Sequence, residues 1–187
     1  MKEGEERIVP QFQKSKGVLI VTAALELSEN QVTHFYSTRK NTDEMLKLLE
    51  VLLVKYADQS RIYFSWDAAS WHASKRLYAR VKEVNSSKYR ATHKCPLVKL
   101  APLPSRAQFL NVIESVFSGM ATAVIHNSDY QSKDEAKAAI DRHFAERNQH
   151  FRMNPQRAGG KIWGDELVAP RFSKSNNCKA PRYMQQR

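Results

Sequence analysis

Two acidic side chains, Asp67 and Glu114, occupy positions at which a carboxylate can do chemistry. Asp67 directly follows the short, bulky run RIYFSW at 61–66, which predicts a buried strand with both faces covered. Ligands of open α/β sheets bind at the carboxyl ends of strands, so this aspartate is a candidate ligand. It is also well placed to cap the N-terminus of a following helix, and its position alone leaves both interpretations open.

Glu114 belongs to a predicted helix that begins near Ala107. Leu110 precedes it by four residues and Phe117 follows it by three, so its carboxylate emerges along, or at the edge of, the apolar stripe. Such a carboxylate is costly unless it is paired, hydrogen-bonded, bound to a cation or able to reach water. Two carboxylates that meet at one end of a sheet would suit Mg²⁺ facing a phosphate, and hence two-metal cleavage of a phosphodiester.

The composition describes a globular chain with a polyanionic partner. The 187 residues carry a net charge of +11, which favours nucleic acid or an anionic surface as the partner. The two cysteines are far apart and form no metal-type pair, which indicates a reducing compartment. No apolar run is long enough to span a membrane, and the start MKEGEERIVPQ is unlike a signal peptide, so we expect a soluble, cytoplasmic protein.

The periodicity predicts an α/β layered domain with a mixed sheet over residues 1–154, followed by an irregular basic tail over residues 155–187. Capping boxes at Asn41 and Ser132 open the first and last helices. The predicted order is a hairpin of 17–27 and 31–39, a helix to Tyr56, the strand 61–66, a helix over 74–84, a basic loop over 85–94, the strand 96–100, and two helices from Ala107 and Ser132.

Two segments resemble signature motifs of the DDE-superfamily transposases, in the bacterial insertion-sequence group related to mariner elements. DAASWH at 67–72 resembles the motif that the second catalytic aspartate opens, and it supplies Asp67 and His72. LPSRAQFLNVIESVF at 103–117 resembles the LNxIE motif around the third acidic residue, and it supplies Asn111 and Glu114. NPQRAGGKIWGDE and NNCK, further on, resemble that group's closing segment.

The resemblance implies a ribonuclease-H-like catalytic domain in which Asp67 and Glu114 hold Mg²⁺ or Mn²⁺. It implies double-stranded DNA as partner, both element ends and target, and a bacterial, nucleoid-associated location. The reaction would nick the element ends and join the freed 3′ hydroxyl to target DNA, usually within dimers or larger assemblies. His72 would support the site or serve as an ordinary surface histidine. Asn111 would orient Glu114, or simply cap or pack.

Departures from the family pattern concern its first catalytic aspartate, which sits on the first strand of the domain. We find no counterpart among the 187 residues: Glu3, Glu5 and Glu6 lie in a polar leader, and Asp43 fits the first turn of a helix. The family's helix-turn-helix region has no counterpart either. We therefore expect a ribonuclease-H-like sheet that lacks its first strand, weak or absent nicking, and a second copy or a partner chain that supplies the missing part.

Basic residues cluster in the stretch NSSKYRATHK at 85–94. This stretch accounts for a spacing from Asp67 to Glu114 that is longer than the family commonly shows. They are candidate DNA contacts or, alternatively, a solvated insertion. The arginines 142, 147 and 152 recur at five-residue steps, which do not hold one helical face. The tail 171–187 would follow DNA or be disordered, and Trp163 would anchor it or stack on a base. The candidate DNA contacts are Lys88, Arg90, Lys94 and Lys99.

Three functions remain open on this sequence. The first is a DDE transposase catalytic domain, an enzyme by family but incomplete in this chain. The second is a non-catalytic DNA-binding transposase remnant or assembly partner, which the missing aspartate favours. The third is an RNA-binding protein of ribosomal type, which rests only on the charge of +11 and leaves the two carboxylates unexplained.

Overall fold

The computed structural model describes residues 17–67, 74–103, 110–126 and 128–160. It is a mixed α/β arrangement in which helices flank two small sheets. The elements in chain order are β1 (Ile20–Glu26), β2 (Gln31–Ser37), α1 (Thr42–Lys55), β3 (Arg61–Phe64), α2 (Lys75–Val84), α3 (Ser87–Thr92), β4 (Leu97–Leu100), α4 (Ile113–Met120), a π-helical segment (Ala121–Ile125) and α5 (Lys133–Met153).

The predicted hairpin is confirmed. β1 and β2 pair antiparallel from Ile20 opposite Ser37 to Glu26 opposite Gln31. Asn30 takes a left-handed backbone conformation in the turn, with φ of 58°, which asparagine tolerates better than most residues. The Glu26 carboxylate accepts hydrogen bonds from two turn amides, so the turn is fixed by the strand it follows.

The N-cap half of both predicted capping boxes is present at the helix starts, but the Glu44 carboxylate accepts from the Ser37 hydroxyl rather than from the Asn41 amide. The Asn41 side chain accepts a hydrogen bond from the backbone amide of Glu44 at 3.2 Å, and α1 begins at the next residue. Ser132 accepts from the amide of Glu135 at 3.1 Å, while the Glu135 carboxylate accepts from the amide of Gln131 at 2.7 Å. These contacts satisfy donors that a helix N-terminus otherwise leaves unpaired.

β3 and β4 form a parallel pair whose hydrogen bonding continues past the strands. Arg61 lies opposite Leu97 and Phe64 opposite Leu100. The ladder then carries on, because the amide of Leu103 donates to the carbonyl of Trp66 at 2.9 Å. The carboxyl ends of both strands therefore meet at one end of the sheet, and Asp67 directly follows Trp66 at that end.

The prediction that 61–66 is covered on both faces is wrong. Phe64 and Trp66 are buried on one face, whereas Tyr63 on the other is 69% exposed. The side chains of a strand alternate between faces, and Arg61, Tyr63 and Ser65 share the open one. The bulk of the run hid a strict alternation of apolar residues at even positions.

Two further expectations are corrected in the segments before Glu114. The predicted loop over 85–94 contains the short helix α3, which begins because the Ser86 hydroxyl accepts from the amide of Tyr89. In the predicted helix near Ala107, residues 104–109 lie outside the described part, and the regular helix begins only at Ile113.

Two apolar clusters hold the described elements together. The first joins α1, α2, β3 and β4 around the fully buried Leu49 and Leu77, and Ala24 and Phe35 of the hairpin pack against it. The second lies on the other face of the hairpin, where α4 and α5 pack on the strands. Its buried members are Val32, Met120, Ile140 and Phe144. The hairpin is thus covered on both faces.

Two asparagines bind in the same way to the edge strands β2 and β4, whose free sides we call the outer edges of the two sheets. The Asn85 side chain donates to the carbonyl of Val98 at 2.8 Å and accepts from its amide at 2.9 Å. Asn148 on α5 does the same at Val32, at 2.8 and 2.7 Å. A carboxamide presents the same donor and acceptor pair as a peptide group, so each one replaces a strand neighbour. We call these two contacts the asparagine clamps.

The opposite edge of each sheet, on β1 and on β3, is called the inner edge. Within the described residues neither inner edge carries such a clamp. Because the ladders alternate, the backbone groups of Val21 and Ala23 point away from β2, and those of Tyr63 point away from β4. Within the described ranges, no hydrogen bond meets these groups. Within the described residues, each sheet therefore has an outer edge that carries one clamp and an inner edge that is open.

Removing a clamp will destabilise the fold. Val98 is 1% exposed, so Asn85→Ala leaves a buried amide and carbonyl unpaired, and we expect it to lower the free energy of unfolding by about 1 to 3 kcal/mol. Asn154→Ala is the matched control, because that side chain bonds only to the exposed carbonyl of His150, and its expected cost is below about 0.5 kcal/mol. Urea denaturation measures both; equal values would contradict the role of the clamp.

A carboxylate that joins β2 to α5 makes stability depend on pH. Asp141 accepts from the Tyr36 hydroxyl at 2.7 Å and pairs with His34 Nε2 at 2.7 Å. Partial burial raises the pKa of Asp141, but the hydrogen bonds from Tyr36 and His34 outweigh this and hold it below the ordinary value. A lowered folded-state pKa gives stability that is present above the unfolded-state pKa and is lost as the pH falls through the folded-state value.

We therefore expect the wild-type chain to lose stability below about pH 4, where a free aspartate titrates. Asp141→Asn should flatten this part of the curve and lower stability at neutral pH. Urea midpoints measured from pH 3 to pH 7 test both effects. Asp134→Asn is the control, because its carboxylate is 90% exposed and pairs only with Lys137 in the same helix. A wild-type slope that persists in Asp141→Asn would rule out the assignment.

Candidate functional site

Asp67 is held at the carboxyl end of β3 by the residues around it. Trp66, directly before it, is buried and packs edge-on against Phe64 with ring centroids 5.4 Å apart. Because the Trp66 carbonyl also accepts the Leu103 amide, the backbone leading to Asp67 is fixed from two sides. Asp67 itself is only partly buried. The backbone that carries the Asp67 carboxyl group is therefore fixed, and it lies at the carboxyl ends of the strands, where ligands bind in this class of fold.

Glu114 lies in the first turn of α4 and is exposed to solvent. The apolar stripe of this helix packs into the second cluster through Val116, Phe117 and Met120. The Asn111 side chain donates to the Glu114 carboxylate at 3.0 Å, and the Glu114 amide donates to the Asn111 carbonyl. Asn111 thus restrains the carboxylate at the start of the helix, as one of its predicted roles requires.

The path of the chain relates the two acidic residues. β4 ends beside β3, and Leu103 is hydrogen-bonded to the residue before Asp67. From that point the chain runs through residues 104–109, which lie outside the described part, to Asn111 and Glu114. His72 also lies outside the described residues. Across residues 17–67, 74–103, 110–126 and 128–160, no group of three or more His, Cys, Asp or Glu side chains is arranged to hold a metal ion.

The four candidate DNA contacts are all exposed, but they are not equivalent. Lys88 and Arg90 lie on α3, and Lys99 lies on β4. Lys94 forms an ion pair with Asp58, whose pKa is lowered chiefly by that hydrogen bond. The pair is largely exposed, so phosphate would compete with Asp58 for this lysine at little cost.

Of the arginines at five-residue steps, Arg147 has a structural role. It donates to the carbonyl of Asn30 at 2.7 Å and to its side chain, and it lies over the Phe151 ring at 4.7 Å. It therefore fixes the hairpin turn on α5, while Arg142 and Arg152 remain exposed. Trp163 and the tail 171–187 lie outside the described residues.

Sequence reasoning missed the open face of β3 and β4. On that face Arg61 donates to the Tyr63 hydroxyl at 3.3 Å, and Tyr63 lies opposite Lys99 in the strand register. An exposed tyrosine between two cations differs from the buried strand that the sequence suggested. The alternation of Arg61, Tyr63 and Ser65 with apolar residues was the signal that could have revealed it.

Comparison with known proteins identifies the family. The model of the DDE superfamily endonuclease matches residues 1–137, which contain both acidic motifs and more than two thirds of the chain. Neither the curated proteins nor the solved structures gave a match. Among the helices of the described ranges, none combines the length and the apolar character that crossing a bilayer requires. On the extent of the family match, this chain belongs to the DDE superfamily endonucleases.

Proposed function

We propose that this chain is the catalytic part of a transposase of a bacterial DNA insertion element, and that it carries out metal-dependent DNA strand cleavage and strand transfer once a third carboxylate is supplied from outside these 187 residues. The observation that carries the proposal is the position of Asp67, on a buried, doubly hydrogen-bonded strand end beside the end of β4. From that same edge the chain leads to Glu114, the second acidic residue of the motifs. Family membership supports DNA as the substrate and a divalent metal as the cofactor.

The two carboxylates fit Mg²⁺ or Mn²⁺ as far as their chemistry goes. Both offer hard oxygen donors, and Mg²⁺ is usually held by one or two protein carboxylates while substrate phosphate and water complete its shell. Asp67 and Glu114 are the residues that would hold it. A metal bound there supplies activation of the attacking oxygen and stabilisation of the leaving one.

The other residues bind and orient the substrate in this proposal. Asn111 holds the Glu114 carboxylate through its hydrogen bond at 3.0 Å, which reduces the freedom of an exposed side chain. Lys88, Arg90 and Lys94 around α3 contact phosphates of double-stranded DNA and set its register without reading bases. The charge of +11 provides the attraction for the polyanion, which weakens as salt rises.

We further propose that a third carboxylate comes from outside these 187 residues, on a strand that adds to the two sheets. Within the described residues the inner edges of β1 and β3 are open, which supports an added strand. Both sheets pack against α1, because Ala24 and Phe35 join the same apolar cluster as Phe64. One strand inserted between the two edges would satisfy their backbone groups and extend the sheet towards the end that carries Asp67.

A metal-binding measurement tests the two carboxylates. We expect Asp67→Asn and Glu114→Gln each to weaken Mn²⁺ binding at least about tenfold, because each removes a charged ligand worth more than about 1.4 kcal/mol. Titration followed by electron paramagnetic resonance gives the affinities, and Asp134→Asn is the control, because its carboxylate is 90% exposed and pairs with Lys137 of its own helix. DNA affinity measured in parallel separates the alternatives. A non-catalytic DNA-binding remnant would keep its DNA affinity and show no metal site at all.

A nicking assay tests whether the chain is complete. We expect weak or no nicking of supercoiled DNA with Mg²⁺ or Mn²⁺, because a two-metal site depends on carboxylates that bridge and flank both ions. A robust metal-dependent nick that Asp67→Ala abolishes would show that the third carboxylate is not needed from outside.

Hydrogen exchange tests the open edges directly. We expect the amides of Val21, Ala23 and Tyr63 to exchange at least about tenfold faster than those of Val32 and Val98, which are hydrogen-bonded to the asparagine clamps. The comparison is internal to one sample and can be read residue by residue by nuclear magnetic resonance. Strong protection at Val21, Ala23 and Tyr63 would mean that the edges are already filled, and would overturn the proposed insertion of a strand.

A further inference from the structure

We propose that the open face of β3 and β4 binds single-stranded DNA by stacking a base on Tyr63 between two phosphate-binding cations. This face is formed by alternate residues of the two strands. They are Arg61, Tyr63 and Ser65 from β3, and Leu97, Lys99 and Ala101 from β4 and its continuation. The inference rests on the proposed function in taking DNA as the substrate and Asp67 as part of the cleavage site.

The ring of Tyr63 is unusually exposed for a tyrosine on a strand. A strand tyrosine in a globular domain normally buries one side of its ring, yet Tyr63 is 69% exposed. Its strand neighbours Ile62 and Phe64 point into the first apolar cluster, so the backbone around the ring is fixed. A flat aromatic surface held on a rigid strand gives any unpaired base a stacking partner with little loss of conformational freedom.

The charges around the ring are positive. Arg61 donates to the Tyr63 hydroxyl at 3.3 Å, and Lys99 lies opposite Tyr63 in the parallel register. The six positions of the face hold two cations and no acidic residue. An aromatic ring between cations matches a strand whose bases and phosphates alternate, whereas it offers no complementarity to a basic peptide.

The position of the face favours single strands over duplex DNA. Tyr63 precedes Asp67 by four residues along β3 and the segment that continues it, which is about 13 Å at 3.3 Å per residue if that segment stays extended. A base can stack on the ring only if it has left its own pair. The ring therefore lies within reach of a strand that has been freed next to the proposed cleavage site. Lys99, first considered as a contact to duplex DNA, would serve this single strand.

The test uses the full 187-residue chain and a fluorescently labelled single-stranded DNA oligonucleotide, with affinity read by anisotropy. We expect Tyr63→Ala to weaken binding by about 5- to 150-fold, the range for loss of one base stack, and Tyr63→Phe to stay within about twofold. Tyr78→Ala is the matched control, because Tyr78 is also an exposed tyrosine but lies on α2. We expect this control to bind as the wild type does.

Salt titration tests the two cations separately. Lys99→Gln should reduce the slope of the logarithm of affinity against the logarithm of salt by about 0.7, the value for one contact to a single strand. Arg61→Gln should do the same. Unchanged slopes in both variants would overturn the phosphate contacts.

Other outcomes would overturn the proposal as a whole. They are an equal loss of duplex binding in Tyr63→Ala, tighter binding of an RNA of the same sequence, or a fall in the free energy of unfolding that accompanies the loss of affinity. The last outcome would assign the ring to packing within the protein. Failure here leaves the proposed function intact if Asp67→Asn still weakens Mn²⁺ binding. Loss of the metal effect with intact stacking would instead remove the proposed function alone.

Discussion

Each of the two sheets has one edge residue whose backbone is paired with an asparagine side chain. These two asparagine clamps are the contacts on which the outer edges of the sheets depend. Asn85 and Asn148 come from elements that pack on opposite parts of the structure, yet each satisfies both backbone groups of a buried valine. An unpaired buried amide or carbonyl costs about 1 to 3 kcal/mol, so these contacts matter more than an exposed ion pair, worth about 0 to 1 kcal/mol. Each clamp therefore occupies one position on the outer edge of its sheet, at Val32 and at Val98, whereas β1 and β3 carry no such contact within the described residues.

Charged contacts then fix the helices relative to each other. Arg80 on α2 binds Glu50 on α1 through two hydrogen bonds of 2.7 and 3.1 Å, and it also reaches the Tyr89 hydroxyl on α3. Hydrogen bonding to Glu50, together with Glu83 and Tyr89, outweighs burial and raises the pKa of Arg80. The basic helix α3 is thereby attached to the core on which β3 lies. The bidentate geometry makes this pair more specific than a lysine contact in the same place.

Elements that depend on residues near each other in the sequence were predicted well. Contacts between residues far apart in the sequence could not be predicted. The caps at Asn41 and Ser132 depend on residues three positions apart, and the hairpin joins two strands that follow each other in sequence, so both were predicted correctly. Arg147 shows the limit, because its partner Asn30 is 117 positions away and no spacing on α5 points to it. Tyr63 was misread because bulk was taken as burial. Of the candidate site, the contact between Asn111 and Glu114 is local, whereas the relation of Asp67 to Glu114 is not and stays a prediction.

Fold and chemistry become linked if one incoming strand supplies both backbone partners and a carboxylate. Each inner-edge hydrogen bond would contribute about 0.5 to 1.5 kcal/mol, so several together would offset part of the cost of ordering the strand. A third carboxylate near Asp67 and Glu114 is unfavourable without a cation, since like charges at close range repel. A bound metal would relieve that repulsion, and strand insertion would bring the carboxylate close. By thermodynamic linkage each step must therefore strengthen the other.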